Sequence, residues 1–178
     1  MKYFDECKRA MEHLAQDERT LFMGQAVAFP GTAITRQLEN VSPAKKLELP
    51  VCEEMQMGMT IGLALDGYIP ISIYPRWNFL LLATNQLVNH LDKINYFTDN
   101  QKKFKCIIKV VAGSERPLFP GHQHVGDFSD GFRQFLETVE IIQLKEPEQV
   151  QSAYEYALHR EDNKSTILVE YGDFYSEK

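Results

Sequence analysis

Short apolar segments alternate with amphipathic segments along this chain, a pattern that leaves few architectures open. Most of the apolar segments are apolar on both faces of an extended strand, as strands are in a parallel sheet covered by helices. The six predicted strands span residues 20–27, near 47–51, 69–74, 105–113, 138–144 and 165–171. The sequence therefore predicts an α/β fold with a mostly parallel sheet and helices on both faces.

The segments between these strands repeat apolar residues at helical spacing. The predicted helices span residues 3–15, 53–65, roughly 79–97, about 130–136 and 147–159. Ligands of such sheets bind beyond the carboxyl ends of the strands, so the loops after the first four strands are the candidate binding regions. The loop at 114–128 is long for a compact domain, and such loops are commonly functional. We expect one domain over residues 1–178.

Composition argues against several classes of function. The formal net charge of −6 does not fit broad nucleic-acid binding, which needs a basic surface to neutralise phosphates. The cysteines Cys7, Cys52 and Cys106 form no CxxC pair, so neither a zinc site nor a disulfide framework is indicated. The sequence shows no signal-peptide core and no apolar stretch near the ~20 residues of a membrane span. We expect a cytoplasmic protein that binds neither membrane nor nucleic acid.

Two acidic residues, Glu53 and Glu54, begin the predicted helix at 53–65. Acids in a first turn commonly stabilise a helix through its dipole, so a capping role alone explains them. Gly58 and Gly62 lie four residues apart on the same helix and share a face without side chains. That face favours either close packing on a neighbouring helix or a contact between subunits.

Aromatic residues and histidines follow two other predicted strands. Trp77 and Phe79 fit either the core or a flat surface for a ring-shaped ligand. His122 and His124 could share a metal ion, but their spacing supplies no third ligand. A proton-transfer role for a histidine, or an inert exposed loop, explains this pair equally well.

The order of these motifs resembles the pyrimidine domain of the beta subunits of 2-oxo acid dehydrogenases, such as pyruvate dehydrogenase, and of transketolases. The match is collinear from about residue 3 to about residue 175. The matching segments are 24–27 (GQAV for the family's G-E-x-V), 50–53 (PVCE for P-I-S-E), 74–79 (YPRWNF for F-x-x-F-x-F), 85–89 (NQLVN for D-Q-x-x-N) and 123–126 (QHVG for Q-H-S-Q).

This resemblance implies a thiamine diphosphate-binding fold and roles for particular residues. Glu53, rather than Glu54, matches the catalytic glutamate that hydrogen-bonds a ring nitrogen of the cofactor's aminopyrimidine. This contact favours the imino tautomer, which takes the proton from the thiazolium carbon. Phe79 and Trp77 match aromatic residues that pack against the pyrimidine. His124 matches a catalytic loop histidine that faces the reacting substrate.

The chain also departs from the family pattern. Gln25 replaces the strand-end acid; it is kept as a candidate cofactor contact, although an acidic relay through that position is broken. Cys52 and Asn85 replace a serine and an aspartate of the family. His122 and Gln123 are candidate substrate contacts beside His124, and no residue of the chain is assigned to a metal.

The resemblance further implies a partner. The sequence contains no G-D-G…N element, which holds magnesium and the diphosphate in this superfamily. We therefore expect an alpha-like, diphosphate-binding subunit that holds the magnesium, in a dimer or heterotetramer, and an absent C-terminal transketolase domain. The expected function is decarboxylation of a 2-oxo acid or two-carbon transfer from a ketose, only with the partner present. A non-catalytic assembly or regulatory subunit that retains the fold is the alternative.

Overall fold

A computed structural model describes residues 2–115 and 119–177. The strands are β1 (Thr20–Gly24), β2 (Lys46–Glu48), β3 (Ile69–Tyr74), β4 (Ile107–Ala112), β5 (Glu140–Gln143) and β6 (Thr166–Tyr171). They form one six-stranded sheet in the order β2-β1-β3-β4-β6-β5. Every pair of neighbouring strands is parallel, so the predicted α/β class is confirmed.

Helices cover both faces of this sheet. Their bounds are α1 (Tyr3–Leu14), α2 (Ala33–Gln37), α3 (Glu53–Leu65), α4 (Trp77–Leu80), α5 (Ile94–Phe97), α6 (Ser129–Phe135), α7 (Pro147–His159) and α8 (Phe174–Glu177). One apolar core lies between the sheet and α1, α2, α7 and α8, and the other lies beneath α3 to α6. None of the helices in the described ranges is long and apolar enough to cross a membrane.

The predicted bounds of β3, α3 and α7 agree with the structure, whereas the first strand is shorter than predicted. The predicted strand 20–27 ends at Gly24, which has φ 142°. Ala26 then adopts a left-handed conformation with φ 60°, which no strand residue has. The remaining predicted strand residues form a turn because their backbone N–H groups bind a side chain rather than a neighbouring strand.

The helix predicted at roughly 79–97 is wrong as a continuous element. It is divided into α4, a short 3₁₀ turn, a π-helical segment at Gln86–Leu91 and α5. The buried residues still follow helical spacing: Ala83, Leu87, Leu91 and Ile94. The fully buried Asp92 ends the π-helical segment, and its carboxylate accepts hydrogen bonds from the backbone N–H groups of residues 137–139 at 2.8–3.1 Å.

Two short helices, α2 and α8, lie in segments for which the sequence predicts no helix. A capping box begins α2, where the Thr32 hydroxyl accepts from the Thr35 N–H at 3.1 Å and the Thr35 hydroxyl accepts from the Thr32 N–H at 3.1 Å. Part of the loop predicted at 114–128, residues 116–118, lies outside the described residues. Residues 1 and 178 of the predicted domain also lie outside them.

A buried ion pair interrupts the core on the α1 side of the sheet. Lys109 on β4 and Glu170 on β6 are both fully buried, with Nζ and a carboxylate oxygen 2.5 Å apart. Glu170 also accepts hydrogen bonds from the hydroxyls of Tyr154 and Tyr175 at 2.6 and 2.5 Å, and from the Gln37 amide at 3.0 Å. Burial alone would raise the pKa of Glu170, but Lys109 and the two tyrosine hydroxyls outweigh it and lower that pKa.

Candidate functional site

The carboxyl ends of the parallel strands β1 to β4 lie along one edge of the sheet, here called the carboxyl edge. It comprises the segments that follow Gly24, Glu48, Tyr74 and Ala112. These segments carry all the site residues that the sequence predicts: Gln25, Glu53, Trp77, Phe79, His122, Gln123 and His124. The arrangement agrees with the expectation for ligand sites of open α/β sheets.

Glu53 and Gln25 form a hydrogen-bonded pair at this edge. Glu53 is the first residue of α3 and is only 3% exposed. Its Oε1 accepts a hydrogen bond from Gln25 Nε2 at 2.9 Å. Among the described residues, none donates a hydrogen bond to the second carboxylate oxygen, Oε2. The structure thus brings two predicted site residues together and leaves a nearly buried carboxylate with an unused acceptor.

A close contact between β1 and β3 determines where Gln25 lies. A Cβ atom at the preceding residue, Gly24, would lie 2.3 Å from the carbonyl oxygen of Ile73, so only glycine fits. Gln56, one turn after Glu53 on α3, donates from Nε2 to that same oxygen at 3.0 Å. The start of α3 and the end of β1 are therefore both held against β3, which fixes both members of the Gln25–Glu53 pair.

The turn after Gln25 is organised by Glu48, the last residue of β2. Its two carboxylate oxygens accept hydrogen bonds, at 2.7–2.8 Å, from the successive backbone N–H groups of Ala26, Val27 and Ala28. No sequence pattern indicates this role, because the bonded residues are 20 to 22 positions apart along the chain. Glu48 is therefore a residue of the carboxyl edge that the sequence does not reveal.

His124 lies against α4 on the other side of the edge. Its Nδ1 is 3.0 Å from Oδ1 of Asn78, and its ring centroid is 5.5 Å from that of Phe79. Both His124 and Phe79 are partly exposed. The structure brings these two predicted residues together and adds Asn78 as an orienting partner. Asn78 lies between Trp77 and Phe79, so the motif includes it, but nothing in the sequence indicates its contact with His124.

Trp77 lies in the core rather than at the surface of the edge. It is 0% exposed, and its ring packs on Phe132 and Phe128 of the α6 region at centroid distances of 5.0 and 6.4 Å. Because these side chains cover it, its ring offers no surface to a ligand in this structure. This corrects the predicted direct contact with the pyrimidine and favours the core alternative. Phe79 is the partly exposed member of the predicted aromatic pair.

The remaining predicted residues are on the exposed part of the loop after β4. His122 and Gln123 are exposed, and the His122 ring packs edge-on against Phe119 at 5.1 Å. In the part of the chain that the structure describes, no third ligand side chain joins His122 and His124 in a metal-type cluster. The geometry therefore gives the two histidines different surroundings: His124 contacts Asn78 and Phe79, whereas the exposed His122 contacts Phe119.

The half-buried Arg76 links the ends of β3 and β4, and the fully buried Tyr74 ends β3. Arg76, which follows β3, donates a hydrogen bond from Nη1 to the carbonyl oxygen of Gly113, which follows β4. Burial lowers the pKa of this guanidinium below its ordinary value, although the group stays a cation at neutral pH. Burial also raises the pKa of the Tyr74 hydroxyl above its ordinary value, so that group stays neutral. The loop that carries His124 is thus anchored to the end of β3.

No family model matches the chain. A pyruvate dehydrogenase E1 component subunit beta from Gracilaria tenuistipitata var. liui is 26% identical over 179 residues, covering 98% of this chain and 54% of that protein. The corresponding subunit from Chaetosphaeridium globosum is 31% identical over 136 residues, covering 75% of this chain and 40% of that protein. The chloroplastic beta-3 subunit of Arabidopsis thaliana is 26% identical over 170 residues, covering 94% and 41%.

This chain is related to the pyruvate dehydrogenase E1 beta subunits. A solved structure described as a split gene transketolase, an inactive beta4 tetramer, matches with a TM-score of 0.72 and 14% identity. That match covers 94% of this chain and 50% of the other chain, and at such low identity it establishes the fold alone. The chain spans about half, or less, of the length of these relatives.

The resemblance predicted from the motif order is therefore confirmed, and the fold is of the transketolase type. The relatives are named as subunits of an enzyme component, which agrees with the expectation that this chain acts with other chains. The roles of individual residues, the cofactor and the partner stay predictions, and the geometry of the carboxyl edge is what supports them.

Proposed function

We propose that this chain supplies the pyrimidine-binding half of a thiamine diphosphate site in a split enzyme. The enzyme acts on a 2-oxo acid by decarboxylation or on a ketose by transfer of a two-carbon unit. The relationship to E1 beta subunits and the transketolase-type fold support this class. The single observation that carries the proposal is the buried Glu53 carboxylate at the carboxyl edge.

Glu53 combines burial with an unused acceptor. Burying a carboxylate costs free energy unless hydrogen bonds or an opposite charge compensate it. Within residues 2–115 and 119–177, the hydrogen-bond donor to Glu53 is one neutral amide, that of Gln25. A capping role does not require burial, since Glu54 lies in the same helical turn and is exposed. A ligand N–H bound to Oε2 explains the buried position better than capping does.

The residues at the edge fit an aminopyrimidine ring. Glu53 Oε2 can accept from a ring N–H, while Gln25 holds the carboxylate in place through Oε1. Phe79 offers a partly exposed aromatic surface, and Trp77 supports α4 from the core. Thiamine diphosphate supplies, when bound, an electron sink for making or breaking the bond next to a carbonyl carbon.

His124 is proposed to handle a proton at the substrate. When Nδ1–H donates to Oδ1 of Asn78, Nε2 carries the lone pair and is the atom that accepts a proton. An imidazole suits this task because its pKa ordinarily lies near neutrality. His122 and Gln123, which are exposed in the same loop, are proposed as further substrate contacts.

A partner subunit supplies the diphosphate and magnesium part of the site in this proposal, within a dimer or heterotetramer. The exposed face of α3 supports such an assembly. Gly58 and Gly62 are exposed, and no described atom lies within 4 Å of a Cβ atom built at either. Met55 and Leu65 flank them on the same face and are 39% and 40% exposed. An apolar helix face without bulky side chains at its centre permits the close approach of another subunit.

The first step of the test is to identify the proposed partner subunit. Affinity purification of the chain at low salt, followed by mass spectrometry, should identify a near-stoichiometric partner that carries a G-D-G…N element. The reconstituted pair is then assayed with thiamine diphosphate, magnesium and a panel of 2-oxo acids and ketose phosphates. Glu53→Gln should lower turnover by at least about 100-fold, whereas the matched Glu54→Gln in the same helical turn should retain activity.

Unchanged turnover in Glu53→Gln would refute the catalytic proposal. If the chain instead purifies without such a companion and without bound cofactor, that result would favour the alternative, a non-catalytic assembly or regulatory subunit. The presence of Gln25 where the family has an acid is the observation that favours this alternative.

A further inference from the structure

Three side chains with metal-binding atoms meet where α1 packs against α7. His13 lies in the last turn of α1, and Glu155 and His159 lie one turn apart near the end of α7. One ligand atom from each residue lies within 4.8 Å of the other two. The rings of His13 and His159 have centroids 6.5 Å apart. Two helices that are distant in sequence thus bring two imidazoles and a carboxylate together.

The burial of one imidazole nitrogen is an independent indication of a ligand. His13 Nε2 is inaccessible to solvent and has no hydrogen-bond partner among the described residues. A buried nitrogen without a partner costs free energy, and an ion is one of the explanations such an atom requires. Glu155 and His159 are exposed, and each places a ligand atom within 4.8 Å of a ring nitrogen of the same histidine.

We propose that His13, Glu155 and His159 form a zinc-type metal site that links α1 to α7. Imidazole nitrogen and carboxylate oxygen are the ligands that zinc takes, at about 2.0–2.2 Å. Three such ligands leave a fourth tetrahedral position for water. Magnesium prefers an octahedral shell of oxygen atoms, so this donor set discriminates against the cation that the cofactor requires.

The site lies at the end of the sheet opposite the carboxyl edge. His159 also lines a cavity of about 270 Å³ whose other walls include Ile69, the first residue of β3, and Lys105, just before β4. The amino ends of the strands therefore border this region. A metal ion here would connect two helices of one face of the fold without contacting Glu53 or His124, so the proposal is independent of the function assigned to the carboxyl edge.

The test is a zinc titration of the untagged, chelator-stripped chain in competition with a chromophoric chelator. We expect one zinc ion per chain, with affinity reduced at least about tenfold in His13→Gln and in His159→Gln. His122→Gln is the matched control, because it removes an imidazole of the other histidine pair, and it should bind zinc as the wild type does. Magnesium should give no signal.

A second measurement guards against variants that fold poorly. Glu155 is exposed, so Glu155→Gln should leave the apo melting temperature unchanged while reducing the upward shift that zinc produces in the wild type. Absence of zinc binding at micromolar concentrations, equal affinity in the wild type and both histidine variants, or loss of binding in His122→Gln would each overturn the proposal.

Discussion

Glu53, at the start of α3, and Glu170, on β6, are both buried carboxylates, but their surroundings are opposite. Glu170 is 0% exposed and is bound by Lys109, two tyrosine hydroxyls and an amide, all supplied by the chain itself. Glu53 is 3% exposed and is bound by the Gln25 amide alone among the described residues. The first carboxylate is satisfied by the fold, whereas the second keeps an acceptor that the fold does not use.

This difference separates stability from function. A fully paired buried charge contributes to a unique fold and becomes costly only when one partner is removed. A buried charge with few partners is the kind of group that is kept for a ligand or for chemistry. The comparison therefore predicts that changes at Glu170 act on the free energy of unfolding, and that changes at Glu53 act mainly on cofactor-dependent turnover.

The largest effect on stability is expected for Glu170→Gln. This change leaves the Lys109 ammonium buried without an opposite charge and should lower the free energy of unfolding by roughly 3–5 kcal/mol at neutral pH. Urea denaturation measures it. The double variant Lys109→Met/Glu170→Leu should recover most of that loss, because neither charge is then left unpaired. A loss below about 1 kcal/mol in the single variant would contradict the assignment of Glu170 to stability.

The difference in unfolding free energy between the wild type and Glu170→Gln should depend on pH in one definite direction. The pKa of Glu170 is lowered in the folded state from its ordinary 4.5, so its stabilisation is complete above that value. The stabilisation is lost as the pH falls through the lower folded-state pKa. The difference in unfolding free energy between wild type and Glu170→Gln should therefore be constant at neutral pH and shrink in acid.

Gly24→Ala should produce the next largest loss of stability. Gly24 directly precedes Gln25, the hydrogen-bond partner of Glu53. The added Cβ atom would lie 2.3 Å from the Ile73 carbonyl oxygen at a residue with φ 142°. Overpacking and backbone strain together should cost roughly 2–4 kcal/mol in the free energy of unfolding. Gly58→Ala is the matched control, since its Cβ atom meets no described atom and a helical alanine should be neutral or stabilising.

Glu53→Gln should change the free energy of unfolding by less than about 1 kcal/mol, the scale of one helix-terminus charge. Its effect should resemble that of Glu54→Gln in urea denaturation, even though the two variants are expected to differ in turnover. A loss of stability as large as that of Glu170→Gln would show that Glu53 is a structural charge and would remove the contrast between the two residues.

The smallest effect is expected at an ion pair near the surface, between Asp17 and Arg19. Hydrogen bonds from the Arg19 side chain lower the pKa of Asp17 from 3.8 to about 2. Asp17→Asn should cost about 0.5 kcal/mol at neutral pH, as near-surface pairs do. The stabilisation is present above pH 3.8 and is lost as the pH falls to about 2, so the two proteins should converge in acid. A constant difference across that range would contradict the assigned role.

The sequence predicts the layers of the fold well and its long-range polar contacts poorly. Apolar strands such as β3, and the periodic helices α3 and α7, are encoded locally, and their predicted bounds agree with the structure. The segment 79–97 keeps its helical spacing of buried residues but not its continuity. At the break between the π-helical segment and α5, Asp92 binds backbone groups 45 to 47 positions away. Hydrogen bonds between residues so far apart along the chain produce no recognisable local sequence pattern.

At the candidate site, too, local motifs are predictable from the sequence and long-range contacts are not. Motif order predicts catalytic roles for Glu53 and His124, because the resemblance assigns a role to each position. It does not reveal Glu48 or Asn78, whose partners are distant in sequence, and it assigns to Trp77 a contact that α6 prevents. The cytoplasmic location and the lack of nucleic-acid binding stay predictions from composition.

The carboxylate of Glu48 has a further consequence for the cofactor site that we propose to be shared between chains. Successive backbone N–H groups that converge on one point form an anion nest, the device with which many proteins hold phosphate. Here the nest at residues 26–28 is already filled by the chain's own glutamate. A diphosphate would have to compete with a tethered anion for those three donors. The loop after β1 therefore offers these three N–H groups to Glu48, and a phosphoryl group could reach them only by displacing that carboxylate.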